Sequence, residues 1–292
     1  MKPAAFDFVR AGSVAQAVDA LAGAGGDGKI LAGGQSLMPM MNFRLVKPSV
    51  LIDINAIPGL DRVEAIEGHV RIGALVRHRT TACDPVVARH APVVTAAMKH
   101  VAHLTVRNRG TFCGSVCHAD PAGEMPMMAA LLGGRVHAVS PRGERAVPLA
   151  EFFTGSLTTA LAPDEMATAI DLAAMPEGAG FGFHEYARRH GDYALAAVAV
   201  VMRAREGRAE GVRVAVMGVG EIPARLPAVE AALDGREPDE AAVAEAVAIL
   251  RTQIAPTTDL NASADYRRHL AGVLAGRAIR DAWAGAGEGV AR

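Results

Sequence analysis

The chain has 292 residues and a formal net charge of −1, with 30 basic and 31 acidic side chains; 51% of it is hydrophobic and 21% charged. That length suits two domains or one large one, with a core packed mainly from Ala and Val, since aromatic residues make up only 4%. Basic excess, an apolar leader after Met1 and any apolar run of the ~18 residues of a membrane helix are all missing, which argues against nucleic acid, secretion and membrane spanning and predicts a cytoplasmic chain.

Ser13 is an N-cap candidate for a helix with Val14, Ala17, Val18 and Leu21 on one face, stopped by the glycine run 23–28. That run, with Lys29, matches G-x-G-x-x-G and nearly matches a P-loop. Both motifs need a strand before the glycines and a helix after them. Here the order is helix then strand (29–32), so the run reads as a helix-terminating loop. Directly after that strand comes Ala32-Gly-Gly-Gln-Ser36, a small-residue turn that can expose backbone N–H groups to a phosphate. The following residues, from Leu37, could begin a helical turn, and Ser36 could add a hydroxyl; a plain tight turn would carry the same spelling. Met38, Met40 and Met41 read as packing or cleft-edge residues.

A second buried strand is expected at 50–54, a hairpin at 63–74 turning at Glu67-Gly68, and a helix over 84–103 interrupted near Pro92. A polar approach, Val106-Arg-Asn-Arg-Gly110, leads to a second small-residue turn, Thr111-Phe-Cys-Gly-Ser115. Asp120 and Glu124 follow, placed either to bind sugar hydroxyls or simply to cap and lead the helix through 127–132. Two nests about 80 positions apart, facing one cleft, suit a pyrophosphate. That points to a dinucleotide cofactor, and the spelling of both turns points to FAD. Beyond lie a hairpin at 135–147, a strand at 166–172, a boundary at Pro176-Glu-Gly-Ala-Gly180, long strands at 194–205 and 212–219, and helices at 227–233, 240–253 and 264–283.

Residues 32–39, 107–111, 114–115, 118–122, 161–165, 186–189 and 191–194, in that order, resemble the FAD-binding medium subunit of molybdenum hydroxylases, the family of carbon monoxide dehydrogenase and xanthine dehydrogenase. The resemblance implies an α+β chain with an FAD-binding fold of the vanillyl-alcohol-oxidase type. Two α/β subdomains (about 1–57 and 58–176) would hold FAD, a C-terminal α+β domain (177–285) would cover it, and 286–292 would be a flexible tail. It implies that Ala32, Gly33, Gly34, Gln35, Ser36 and Leu37, with Thr111, Cys113, Gly114 and Ser115, clasp the pyrophosphate and neighbouring ribityl. Asp120 or Glu124 would take sugar hydroxyls, the Leu161 backbone would meet the flavin ring, Val101 would lie beside the cofactor, and Tyr193, with Asp192 as a weaker candidate, would sit near the ring. As a core aromatic Tyr193 would look the same. No residue is assigned a catalytic or metal-binding role.

Three positions depart from the family pattern. Cys113 replaces one of two glycines usual in the second nest, Phe112 is bulkier than the usual aliphatic, and Glu185 stands where some relatives carry a lysine that reaches the flavin. An anion there should disfavour the anionic reduced flavin. The resemblance further implies a large molybdenum-cofactor subunit and a small subunit with [2Fe–2S] clusters, assembled as a dimer of heterotrimers. Cys83, Cys113 and Cys117 are too few for a four-thiolate cluster, which agrees with clusters on a partner chain. The alternatives are a self-contained FAD oxidoreductase of the same superfold and a scaffold subunit that has lost its flavin.

Overall fold

A computed structural model of the chain describes residues 2–288. Its first layer is β1 (Asp7–Arg10), α1 (Val14–Gly23), β2 (Gly28–Leu31), α2 (Leu37–Asn42) and β3 (Val50–Asp53). The three strands are parallel in the order β1-β3-β2, so α1 carries the chain from one edge strand to the other and α2 lies in the crossover between the parallel neighbours β2 and β3. Ser13 accepts from Gln16 N at 3.2 Å and caps α1, which buries Ala17, Val18 and Leu21. Gly25 and Gly26, at φ 59° and 100°, turn the chain from α1 into β2. The glycine run is therefore a helix stop, as its helix-then-strand order requires.

The second layer holds β4 (Val63–Ile66), β5 (His69–Gly73), α3 (His78–Cys83), α4 (Pro85–His90), α5 (Pro92–Met98), α6 (Leu104–Arg107), α7 (Phe112–His118) and α8 (Glu124–Leu132). It continues with β6 (Gly134–Ser140), β7 (Gly143–Pro148), α9 (Leu149–Phe152), β8 (Phe153–Gly155), β9 (Thr158–Thr159) and β10 (Met166–Ala173). Its antiparallel sheet runs β4-β5-β10-β6-β7. Helix α8 buries Met125, Met127, Met128, Leu131 and Leu132 and has almost no solvent face.

The third layer is β11 (Gly180–Ala187), β12 (Ala194–Arg205), β13 (Arg208–Met217) and β14 (Ala224–Arg225), followed by α10 (Pro227–Leu233), α11 (Glu240–Gln253) and α12 (Ala264–Glu288). Strand side chains alternate between faces, and in β12 both faces are buried. Ala197, Ala199 and Val201 join the core of the first two layers, while Ala196, Val198, Val200 and Met202 join the core under α10–α12. The sheet is tied to the C-terminal end of α8 and to the loop that leads into it: Arg213 Nη1 donates to Leu132 O (2.6 Å) and Gly218 N to Pro121 O (2.9 Å). Among the described residues no helix is long and apolar enough to cross a membrane.

Several elements differ from the sequence expectations, each for a physical reason. The 84–103 helix is two helices split at Pro92, and the second stops at Met98. Strand β1 is a mostly exposed edge with little apolar signal, and the glycines of β11 read as breakers. They are contact points instead: a Cβ on Gly182 would lie 2.7 Å from Ala278 Cα, and one on Gly180 would lie 2.7 Å from Gly285 C. Strand β13 starts at Arg208, ahead of the expected residue 212, because Gly211 takes φ 64° where the pairing with β12 shifts register. The flexible tail expected from 286 is helical as far as Glu288, with Ala286 buried; 289–292 lie outside the described residues.

The β11–α12 contact predicts that Gly182→Val destabilises the chain by about 1–3 kcal/mol through overpacking. Gly276→Ala, whose new Cβ meets no backbone and lies 3.2 Å from Arg280 Nη1 and at ordinary contact distance from Val243 and Val247 (3.8 and 3.9 Å), should cost far less, staying within about 1 kcal/mol of wild type. Urea unfolding midpoints of the two variants measure the contrast.

Candidate functional site: a cleft for a dinucleotide cofactor

Strand β2 ends at Leu31, and the next residues turn away from the sheet with Gly34 at φ 69°. Among the described residues, the N–H groups of Gly33, Gly34, Gln35, Ser36 and Leu37 have no hydrogen-bond partner; the first N–H to find one is Met38 N, on Gly34 O at 3.1 Å. Five consecutive free donors form a concavity suited to an anion. The Gln35 side chain donates to Gly33 O (3.1 Å), and the Ser36 hydroxyl makes no capping bond to α2. Gly33 is glycine for a different reason from Gly34. A Cβ there would lie 2.7 Å from Gly110 Cα and nearer still to Arg109 O, so this loop touches the second one backbone to backbone.

The second loop is held by β5's continuation. His78 N donates to Gly110 O (2.9 Å), Phe112 N donates to Val76 O (3.0 Å), and Thr111 bridges Arg77. From Thr111 onward the expected nest is the capped start of α7, with Gly114 N donating to Thr111 Oγ1 (3.0 Å) and Ser115 N to Thr111 O (3.0 Å). It therefore offers fewer free donors than the first; among the described residues Cys113 N has no partner. The approach to it is the short helix α6, not an extended segment. Gly114 has no left-handed φ; a Cβ would lie 2.6 Å from the capping Thr111 Oγ1, so glycine spares the cap. Cys113 is buried and donates its thiol to Ile72 O (3.3 Å), and Phe112 is fully buried. Both side chains that depart from the family pattern point into the core, and neither strains the loop.

A cavity of about 710 Å³ opens over the first loop and is also lined by Arg10, Asp53, Asn55, Arg77 and Arg109. Asn55 Nδ2 donates to Ala32 O (2.9 Å) and to Asp53 Oδ1 (2.6 Å); Arg77 Nη2 donates to Asn55 Oδ1 (2.6 Å), and Arg77 Nη1 donates to Arg109 O. Arg10 lies 3.5 Å from Asp53. Arg10, Asp53, Asn55 and Arg77 escaped the sequence reading. Their only signal was a polar pair closing a buried strand and an arginine directly after Leu75-Val76. Three arginines against one carboxylate, beside N–H groups without partners, are a donor set that would suit a polyanion such as the diphosphate of a dinucleotide.

A second group gathers where α8 begins. Asp120 Oδ1 accepts from Ala122 N (2.8 Å). Burial, with a smaller push from Asp120, raises the Glu124 carboxyl to about 7. Burial and the charge of Glu124 raise Glu185, on β11, to about 8, and its Oε2 is buried with no hydrogen-bond partner among the described residues. Partial burial raises the Tyr193 phenol, with smaller pushes from Asp120 and Glu124, though 68% of the residue is exposed. Asp192 is exposed in the β11–β12 turn, its N–H on Arg189 O (3.1 Å). The expected anion at Glu185 is thus a neutral carboxyl near pH 7, because burial opposes its charge.

Val101 is buried, with its carbonyl accepting from Arg107 Nη1 (2.7 Å), and Leu161 is half-buried, its N–H 3.4 Å from Thr159 Oγ1. The fold thus brings the first loop against Arg109 and Gly110, and gathers Asp120, Glu124, Glu185 and Tyr193 separately. Thr111, Cys113, Gly114, Ser115, Val101, Leu161, Asp120, Glu124 and Tyr193 do not line the arginine cavity.

Residues 4–174 match the family described as FAD binding domain in molybdopterin dehydrogenase. The chain belongs to that family. Residues 181–282 match the CO dehydrogenase flavoprotein C-terminal domain. The chain is 43% identical to the nicotine 6-hydroxylase medium subunit of Paenarthrobacter nicotinovorans over 97% of its own length and 99% of that protein's. It superposes on a carbon monoxide dehydrogenase chain from Hydrogenophaga pseudoflava with a TM-score of 0.95 at 36% identity, covering 98% of this chain and 99% of that one. The match to quinoline 2-oxidoreductase from Pseudomonas putida 86 has a TM-score of 0.93, 36% identity and the same 98% and 99% coverage. This molybdopterin-dehydrogenase flavoprotein is an FAD-binding medium subunit of a molybdenum hydroxylase-type oxidoreductase, with the α+β fold the resemblance implied.

Glu185 makes stability depend on pH in a defined direction. Its carboxyl ionises near 4.5 in the unfolded chain and near 8 in the folded one. Between those values the folded chain retains a proton that the unfolded chain has released, so stability falls as pH rises through that window. Glu124, at about 7, adds to the slope in its lower part. Thermal melts of the cofactor-free chain should show Glu185→Gln matching wild type near pH 5 and melting above it near pH 8. An unchanged profile in the variant would place the slope on other groups.

Proposed function

We propose that this chain is the FAD-carrying electron-transfer subunit of a molybdenum hydroxylase complex, taking electrons from the [2Fe–2S] clusters of a partner subunit and passing them to an external acceptor. The observation that carries this is the run of partnerless N–H groups from Gly33 to Leu37, set against the Arg109–Gly110 backbone under three arginines. Ala32, Gly33, Gly34, Gln35, Ser36 and Leu37 would hold the diphosphate. Thr111, Cys113, Gly114 and Ser115 would border it and the adjoining ribityl, with the Cys113 N–H as donor.

Asp120 would accept from sugar hydroxyls, and Glu124, close to half-protonated at pH 7, can accept or donate there. Val101 and Leu161 would flank the flavin, and Tyr193, beside Asp192, would cover a face with its exposed ring. Bound FAD supplies reversible one- and two-electron redox chemistry; the protein holds it, limits water and sets nearby charge. A neutral Glu185 adds no negative charge there at pH 7 and can hold a proton on Oε2.

Three cysteines, two of them on α7 and raised by burial, argue for clusters on another chain. The partners proposed are a large molybdenum-cofactor subunit and a small iron–sulfur subunit, in a cytoplasmic dimer of heterotrimers. The 43% identity to the nicotine 6-hydroxylase medium subunit supports an N-heteroaromatic as the substrate of the assembly.

Acid or heat should release one flavin per chain that runs as FAD. FMN alone, or flavin left on denatured protein, would contradict non-covalent FAD. Gly33→Val should abolish flavin retention because its side chain forces the two loops apart. Gly25→Ala, in the helix-stop loop with no atom within 4 Å of the new Cβ, should retain it. Equal loss in both would restore the glycine run 23–28 as a nucleotide site.

The isolated chain should be bleached by dithionite and inert toward heteroaromatic, aldehyde and carbon monoxide substrates. With both partner subunits, substrate should bleach the flavin under anaerobic conditions. Turnover by the single chain would establish the self-contained flavoenzyme instead.

A further inference from the structure

The two loops of the cleft are joined by a closed circuit of polar contacts. Starting in the first loop, Ala32 O accepts from Asn55 Nδ2 (2.9 Å), and Asn55 Oδ1 accepts from Arg77 Nη2 (2.6 Å). Arg77 Nη1 then donates to Arg109 O, in the second loop, and that carbonyl lies against Gly33, back in the first. Asn55 is itself fixed from below, with its N–H and Nδ2 both on Asp53 Oδ1 at 3.0 and 2.6 Å, so the circuit is anchored to the end of β3. The backbone of Arg77 is anchored too, through the Thr111 bridge and the bonds of its neighbours to Gly110 and Phe112. The Asn55–Asp53 bonds are local, but the links of the circuit itself are not; they bring together residues 32, 55, 77 and 109.

The circuit is held against an electrostatic cost. Arg77 is half-buried, and burial together with the charge of Arg109 disfavours its protonated form. Arg10 adds a third cation to the same cavity, and the one carboxylate there, Asp53, is already engaged by Asn55 and Arg10. A cation kept in a partly buried place beside two others is stabilised by an anion in the cavity. The planar guanidinium holds Nη1 and Nη2 in a fixed fork aimed at Arg109 O and Asn55 Oδ1, a geometry that the rotating N–H groups of an ammonium do not fix.

We infer that Arg77 and Asn55 are positioning residues that clasp the two cofactor loops together, fixing the width of the cradle for a diphosphate before the cofactor arrives. The inference rests on the FAD reading above. Holding the loops in register beforehand removes their ordering from the cost of binding. Arg77 therefore acts through geometry as well as charge, and Asn55, which brings no charge, matters as much.

Full-length wild type, Arg77→Lys, Asn55→Ala and the double variant would be stripped of flavin and titrated with FAD by flavin fluorescence, with thermal melts run in parallel. Each single variant should bind FAD about tenfold more weakly. Because both changes open the same circuit, the double variant should be within about threefold of the singles. Melting temperatures should stay near that of the wild type.

Wild-type affinity in Arg77→Lys would reduce the residue to a charge and overturn the clasp, as would wild-type affinity in Asn55→Ala. A roughly hundredfold, additive loss in the double variant would do the same. Loss of the folded state in both single variants would make the pair a support of the fold and likewise refute the inference. A wild-type chain with no affinity for FAD would overturn the functional reading itself. A wild type that binds while Asn55→Ala binds equally well overturns the clasp alone.

Discussion

The cleft depends on one close approach: the Cα of Gly33 lies against the carbonyl of Arg109, with no room between them for a single methyl. Two backbones come this near only when one residue lacks a Cβ. The approach sets the first loop beside the second, and it lets Gly33, Gly34 and Gln35 and the arginines share one cavity. Gly34, at φ 69°, serves the curvature of the loop, whereas Gly33 serves the contact. Adjacent glycines thus meet different physical demands, and the more severe one comes from the protein itself.

Around that contact, the three layers are joined by strand β12 and helix α8. A strand buried on both faces links the core behind the cleft to the core under α10–α12, and its small Ala and Val side chains allow both packings. Helix α8, tied to the third sheet at its C-terminal end and through the loop before it, carries Glu124 at its start, where β11 brings Glu185 near it. Two carboxyls in mutual influence and poor contact with water cannot both ionise readily. The same packing that joins the layers therefore sets the protonation of Glu124 and Glu185.

Much of the scaffold was legible because its signals are local. The Ser13 cap, the Glu67-Gly68 hairpin, the apolar run of β12 and the helix-then-strand order around the glycine run 23–28 each depend on neighbours within a few positions. The elements that escaped were those whose sequence carries a local signal against them. β11 contains two glycines that read as breakers until α12 is seen lying on them, and β1 is a four-residue exposed edge, Asp-Phe-Val-Arg, completed only by pairing with β3. The second small-residue turn was read from spacing alone, which does not show how many of its N–H groups are already used. It is a helix start whose cap already uses part of its N–H supply.

The sequence by itself determined the cofactor class, the family and the positions of both loops, because glycine-rich turns and their flanking strands and helices are written in consecutive residues. Only the tertiary structure decided which atoms of those loops are free to bind. It also decided that Cys113 points into the core, that Glu185 is neutral near pH 7, and that Asn55 and Arg77 join loops about 80 positions apart. Hydrogen-bond satisfaction, burial and the field of neighbouring charges belong to the residues that meet in space. Spacing along the chain does not encode them.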